Sequence, residues 1–150
     1  MSNTKNMILI TLAGIGSVLA DACGGWDSFL KALLMFMVAD YITGMSVALI
    51  FHKSQKTKSG GASSQVGYKG IVKKICMLIL VALAVRVDEI SGTNYIRSAT
   101  IFFFLGNEGL SVMENLGLMG VKYPAFLKKA LENISESNNE QSGEYHKVEG

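Results

Sequence analysis

Apolar residues gather in four stretches, 7–20, 29–51, 71–87 and 96–118, and polar or glycine-rich segments separate them. A helix of a water-soluble bundle carries one apolar stripe and a polar opposite face. The run from Ile75 to Val85 and the run from Ile101 to Leu105 are instead apolar around the whole helical circumference. These stretches therefore predict helices in lipid, although each is imperfect against the requirement for about 18 or more apolar residues with few charges. The second carries Lys31 and Asp40, the third is bounded by Lys73, Lys74 and Arg86, and the fourth holds Glu108 and Glu114. Beyond Pro124, Leu127, Ala130, Leu131 and Ile134 recur at helical spacing beside Lys128 and Lys129. That spacing predicts a short amphipathic helix over 123–134 lying on the membrane surface. The polar remainder, 135–150, reads as a disordered tail.

Composition sharpens the contrast with a soluble domain. Hydrophobic residues make up 49% and charged residues 17% of the 150 positions, against roughly 25% charged in soluble globular chains. A domain of this size buries only about 70% of its unfolded surface, so a globule would leave much of that apolar material in water. The single proline and the abundance of Leu, Ala, Ile and Met favour helices over a turn-rich β fold. The expected class is an all-α membrane protein with four transmembrane helices, or three if the first stretch is removed, forming one membrane domain over 1–122.

Charge distribution orients the spans. The loop 52–70 carries Lys53, Lys56, Lys58 and Lys69, with Lys73 and Lys74 just beyond it, and has no acidic residue. Short loops this basic stay on the cytoplasmic side, where they meet anionic lipid, and the serine and glycine content of this one predicts flexibility. Asp21 and Asp27 between the first two stretches, and Asp88 with Glu89 after the third, mark the opposite side. Both termini then fall inside. The first stretch also resembles a signal peptide ending in Ala20-Asp-Ala22. Asp21 is a poor fit to a lipid-attachment motif before Cys23, and the stretch is read as a retained span.

The charges that interrupt the apolar stretches are the candidate functional residues, because an ionised group near the bilayer centre costs on the order of 2.5 to 3.5 kcal/mol. At 100° per residue, with Asn107 as zero, Glu114, Thr100, Ser111, Arg97, Asn115 and Glu108 span a sector about 120° wide. Phe104 falls inside it. Such a stripe has to meet another helix, another copy of the chain or water. Static packing is one solution, with Arg97 paired to Asp88 or Glu89 and Asn115 bonded to a neighbouring helix. A face lining an assembly or pore is the other, with Glu108, Ser111, Glu114, Asn115, Asn107 and Arg97 on it. Asp40 and Gly44 stand beside a Gly44-xxx-Ala48 ridge that admits a close helix contact.

No catalytic constellation, phosphate-binding loop or zinc-protease motif is present, and Cys23, Cys76, His52 and His146 form no cluster. Neither an enzyme, a metal site nor a cofactor is expected, and a net charge of +2 gives no footprint for nucleic acid.

The ordered set Asp40-Tyr-Ile-Thr-Gly44, Ser63-Ser64 with Gly67-x-x-Gly70, Lys73-Lys74, Arg86-Val-Asp88, Asn107-Glu108-x-x-Ser111, Glu114-Asn115 and Gly120-Val-x-x-Pro124 resembles the toxin-secretion/phage-lysis holin family over roughly residues 29–131. Lys122 stands where that family often has proline. The resemblance implies a small phage or prophage protein of the bacterial cytoplasmic membrane. It would associate with itself and open a hole through which an endolysin, or in some relatives a toxin, leaves the cell. The endolysin would be a functional partner without necessary direct contact. An antiholin, an accessory membrane subunit or a small ion channel are the alternatives within the same reading.

Overall fold

The computed structural model describes residues 2–143, with side chains over 3–134. Its described residues form five helices: α1 (Ser2–Ala22), α2 (Ser28–Ser46), α3 (Ser64–Ser91), α4 (Ile96–Leu118) and α5 (Ala125–Gly143). A π-helical turn, Val47–Phe51, prolongs α2 and ends at His52, whose left-handed backbone turns the chain out of the helix. No strand is present among the described residues. Two segments, Asn3–Ala22 and Ser28–Phe51, are long and apolar enough to cross a membrane.

α4 lies at the centre. It packs lengthwise against α2, α3 and α5, and its apolar buried residues include Ile101, Phe104, Leu105 and Met113. α2 and α4 run parallel, as the contacts Asp27–Arg97 near one end and Asp40–Asn115 higher up require. α3 runs antiparallel to both. The seam positions are spaced three and four residues apart: Leu30, Leu33, Met37 and Asp40 on α2, and Met77, Val81, Ala84 and Asp88 on α3. This period of about 3.5 residues is that of helices packed knobs into holes. Phe29 and Phe102 close the lower end edge to face, with ring centroids 5.1 Å apart.

The bundle's outer surface is apolar. Met7, Ile10 and Val18 on α1, Met35, Val38 and Ile42 on α2, and Ile75, Ile79 and Leu83 on α3 are all exposed. Soluble monomers rarely expose contiguous apolar patches, and here α1, α2 and α3 each expose several large apolar side chains. α1 is fastened to the rest only at its foot, where Ala20 and the following Cys23 enter the core; along most of its length it touches little, and Ile10 is 71% exposed.

The C-terminal segment departs from the expected surface helix and tail. α5 turns back at Pro124 and packs antiparallel on α4, with Leu131 buried beside Gly109. A Cβ on Gly109 would stand 2.6 Å from Leu131 Cδ2 and 3.0 Å from Phe36 Cε1, so the missing side chain is what lets α5 approach so closely. Helix also continues past Ile134 to Gly143, into the stretch read as a disordered tail; residues 144–150 of that tail lie outside the described residues.

Candidate functional site

Midway along α2 and α4, the polar residues that interrupt the apolar stretches meet. The Lys74 ammonium donates to Asp40 Oδ2 at 2.7 Å and to Glu108 Oε2. All three side chains are shielded, Glu108 most completely at 3% exposure. Asn115 extends the cluster, donating to Thr43 Oγ1 at 3.0 Å and to Asp40 Oδ1 at 3.3 Å. Gly44 faces the Asn115 amide, and a Cβ there would sit 3.5 Å from Nδ2. Two carboxylates around one ammonium leave an excess negative charge when all three are ionised. Buried charges of this kind persist only when paired and hydrogen-bonded, and three helices each supply part of that pairing.

This geometry divides the expected polar stripe of α4. Glu108 and Asn115 turn into the bundle and are held by α2 and α3; Glu108 lines no open face in this arrangement, whereas Asn115, with Ser111 and Glu114, lines the wall of a cleft at the basic end. Asn107 and Ser111 are half-buried and Glu114 is exposed. Arg97 belongs to the opposite end. Its guanidinium pairs with Asp27 at 2.5 Å and donates to the Cys23 carbonyl at 2.5 Å, instead of reaching the Asp88 or Glu89 carboxylates expected across the turn. The reason is that Asp88 is already engaged: its carboxylate accepts the backbone N–H groups of Ile96 and Arg97 at 3.1 and 2.8 Å and the Thr93 hydroxyl at 2.5 Å. It thereby caps the start of α4, where Tyr95 offers no side-chain cap. Glu89 pairs with Arg86 on the surface.

At that end the Arg97 guanidinium beside Asp27 holds the Asp27 carboxyl below its usual range, with the Leu30 N–H also helping, against some burial. Burial pushes the Cys23 thiol up, partly offset by Arg97. Its Sγ lies 3.7 Å from the Leu78 carbonyl.

The basic segment also changes shape. The loop spans 52–63, since α3 begins at Ser64 and already contains Lys69, Lys73 and Lys74. Lys53, Lys56, Lys58, Lys69 and Lys73 are exposed. Lys74, expected at the membrane surface with them, points inward because it stands three residues before Met77 on the α3 seam. The loop is also closed on itself: Ser54 N–H donates to the Gly60 carbonyl at 2.9 Å, and the Thr57 hydroxyl to the Gly61 carbonyl at 2.8 Å. Beneath it opens a cleft of about 510 Å³ between α2, α3 and the end of α4. No group of three or more metal-ligating side chains occurs among the described residues.

Sequence reasoning missed Lys74 as the partner of both carboxylates, Thr43 as a partner of Asn115, Asp88 as a cap and Asp27 as the partner of Arg97. The signal for the first was available: Lys74, Met77, Val81, Ala84 and Asp88 follow the three-four spacing of a buried seam, whereas Lys73 does not.

Comparison with known proteins agrees with the ordered motifs. The profile of the bacteriophage holin family matches residues 17–136. A probable holin of Bacillus phage phi105 is 33% identical over 121 residues, covering 80% of this chain and 83% of that protein. An uncharacterized protein of Listeria innocua is 42% identical over 126 residues, 83% of this chain and 84% of its own. One from Clostridium perfringens is 33% identical over 137 residues, 90% and 98% respectively. No solved structure matches.

Proposed function

We propose, because this chain belongs to the bacteriophage holin family, that it assembles with copies of itself in the bacterial cytoplasmic membrane and opens that membrane. A cytoplasmic endolysin then reaches the cell wall, and the host lyses. The carrying observation is the charged cluster Asp40–Lys74–Glu108, buried midway along helices whose outer faces are apolar. Charge inside and hydrocarbon outside is the arrangement of a bundle in lipid.

In this reading α1 to α4 span the membrane with the N-terminus, the basic loop and the start of α5 inside. α3 is 28 residues long, or roughly 42 Å at 1.5 Å per residue, longer than a hydrocarbon core of about 30 Å. The surplus of about 12 Å, roughly eight residues, falls at the basic N-terminal end, which carries Lys69, with Lys73 just inside it and its long side chain able to reach back to the headgroups. The cluster described above is the closed arrangement. Opening separates Lys74 from Glu108 and turns Glu108, Ser111, Glu114 and Asn115 towards water between copies, while α1, exposed along most of its length, offers its apolar surface to neighbours. α5, packed over Gly109, moves aside in the same step. Membrane potential biases the exchange if the excess charge moves, since one charge through 100 mV is worth about 2.3 kcal/mol.

The test is inducible expression of this chain with and without an endolysin, following membrane potential and culture density together. Abrupt depolarisation, with lysis only when endolysin is present, supports the reading. Depolarisation without enzyme release overturns it in favour of a small ion channel. No depolarisation at normal membrane abundance overturns it in favour of an antiholin or accessory subunit.

A further inference from the structure

The cleft beneath the basic loop has features that hole formation does not require. Its rim carries Lys56, Lys69 and Lys73, and among the described residues none of these has an ion-pair partner. The loop and α3 contribute no acidic residue to it, because residues 52–87 contain none. On the α4 side Glu114 lines the cleft as well, and deeper in, Asp40 is already matched by Lys74. Three lysines thus stand against Glu114 and the one excess negative charge of the Asp40–Lys74–Glu108 cluster behind the cleft, a surplus of one positive charge. Met45, Val47 and Leu118 contribute apolar lining towards the loop end, and Ser63 adds a polar group. The opening lies at the loop end of α2 and α3, the level at which a phospholipid changes from headgroup to acyl chain in the proposed orientation.

Glycine keeps this space open. Gly70 lines the cleft, and a Cβ built on it meets nothing within 4 Å; Gly67 lines it too, with its nearest neighbour, the Tyr41 hydroxyl, at 3.7 Å. Mid-helix glycine costs about 0.5 to 1 kcal/mol relative to alanine, and no close packing at Gly70 explains that cost.

We infer that the cleft between α2, α3 and α4 binds the headgroup of one anionic phospholipid, with Lys56, Lys69 and Lys73 around its phosphate and Met45, Val47 and Leu118 against the start of its acyl chains. Basic pockets between helices on the cytoplasmic side are suited to such headgroups. The inference rests on the membrane placement proposed above and not on hole formation.

The full chain, purified in nonionic detergent, is titrated with phosphatidylglycerol, with phosphatidylcholine of the same acyl chains and with inorganic phosphate, while thermal unfolding and bound lipid are followed by calorimetry and native mass spectrometry. Phosphatidylglycerol should be retained and should raise the unfolding temperature, and the other two should not. Lys69→Gln with Lys73→Gln should weaken binding about 30-fold, from roughly fivefold per lysine near an anionic lipid. Gly70→Leu should weaken it without any change of charge. Lys53→Gln with Lys58→Gln, on the neighbouring 52–63 loop but outside the cleft lining, measures general attraction and should lose several-fold less. Equal retention of the two lipids, or equal losses from the two lysine pairs, overturns the cleft as a site. Full stabilisation by inorganic phosphate alone assigns it to a free anion and overturns the lipid. If Gly70→Leu fails to fold, the two lysine pairs decide alone. Vesicle flotation of the same preparations separates the two readings: failure to enter vesicles sinks the membrane placement, whereas entry without headgroup selectivity sinks only this site.

Discussion

Replacing Lys74 by methionine keeps the length and apolar stem of the side chain and removes the only cation among the described residues that contacts both Asp40 and Glu108. At the 2.7 Å separation from Asp40, and at an effective dielectric of about 20, the gross attraction is about 6 kcal/mol. Desolvation of the two ions offsets much of that. What remains decisive is the state left behind, because two carboxylates without a counter-ion inside the bundle cost about 3 to 5 kcal/mol. If the buried cluster is the closed arrangement, Lys74→Met shifts the closed-to-open equilibrium by roughly two to three and a half powers of ten. The expected phenotype is early depolarisation.

The assay is the interval between induction and collapse of the membrane potential, read at membrane abundance matched by immunoblot. A triple variant, Asp40→Asn with Lys74→Met and Glu108→Gln, removes every ion together and should restore an interval near that of the parent, since uncharged replacements of similar volume are often neutral. Glu108→Gln alone leaves Lys74 paired with Asp40 and removes the excess negative charge, so it should delay triggering. Wild-type timing for Lys74→Met at equal abundance refutes the reasoning, and so does early triggering by the triple variant. Loss of Lys74→Met from the membrane is itself informative when the triple variant accumulates normally, because only a buried charge explains rescue by removing more of the cluster.

Other outcomes follow from the two ends of the bundle. The Asp27 carboxyl is held below its usual value of about 3.9 by Arg97, so its contribution to stability is fully present above that value and is lost as pH falls through the folded-state value. Arg97→Gln should flatten this acid limb of thermal unfolding in detergent, and an unchanged limb would count against the pair. Gly60 has φ of +72°, and a Cβ there would stand 2.2 Å from the His52 carbonyl, so Gly60→Ala should destabilise the loop by at least the ~1–2 kcal/mol of left-handed strain and speed proteolysis within 52–63. Gly109→Leu should displace α5 from α4 and expose 125–143 to protease, with α1 to α4 still folded by circular dichroism. Asp88→Ala removes the acceptor of two N–H groups at the start of α4 and should cost about 1 to 2 kcal/mol, measured as a lowered unfolding temperature.

The apolar pattern made four helices legible because periodicity and length survive any packing arrangement. α4 has the bounds 96–118 in both the sequence and the structure, and residues 7–20 and 29–51 lie within α1 and within α2 with its π turn. What the pattern conceals is which neighbour meets each face. Two basic residues in sequence, Lys73 and Lys74, point roughly 100° apart on a helix, and only the seam spacing distinguishes the one in water from the one between two carboxylates. α5 misled for a related reason. An apolar stripe with lysines beside it fits a membrane surface and a helix partner equally well, and the partner is recognised only from Gly109, a gap on another helix. Arg97 meets neither Asp88 nor Glu89, the acids that static packing across the turn suggests, because Asp88 is occupied by backbone donors, which do not show in a side-chain inventory.

The polar residues of α4 need not choose between packing and pore. A helix surrounded by three others can hold Glu108 and Asn115 inside a single chain only while α2 and α3 supply Asp40, Thr43 and Lys74 in register, and the contact at each is a hydrogen bond or ion pair that water supplies equally well. Apolar seam residues such as Leu33, Val81 and Ile101 have no comparable alternative in an aqueous lumen. The polar half of the seam, towards the basic end, is therefore where the bundle separates at least cost if water enters, while the Leu30–Ile101 half and the Asp27–Arg97 pair hold the opposite end. Separation from one end predicts an order of events. Cysteine cross-links between α2 and α4 near Gly44 and Asn115 should block depolarisation, whereas links near Phe29 and Phe102 should leave it intact. The reverse pattern would place the opening at the acidic end and remove Lys74 from the first step.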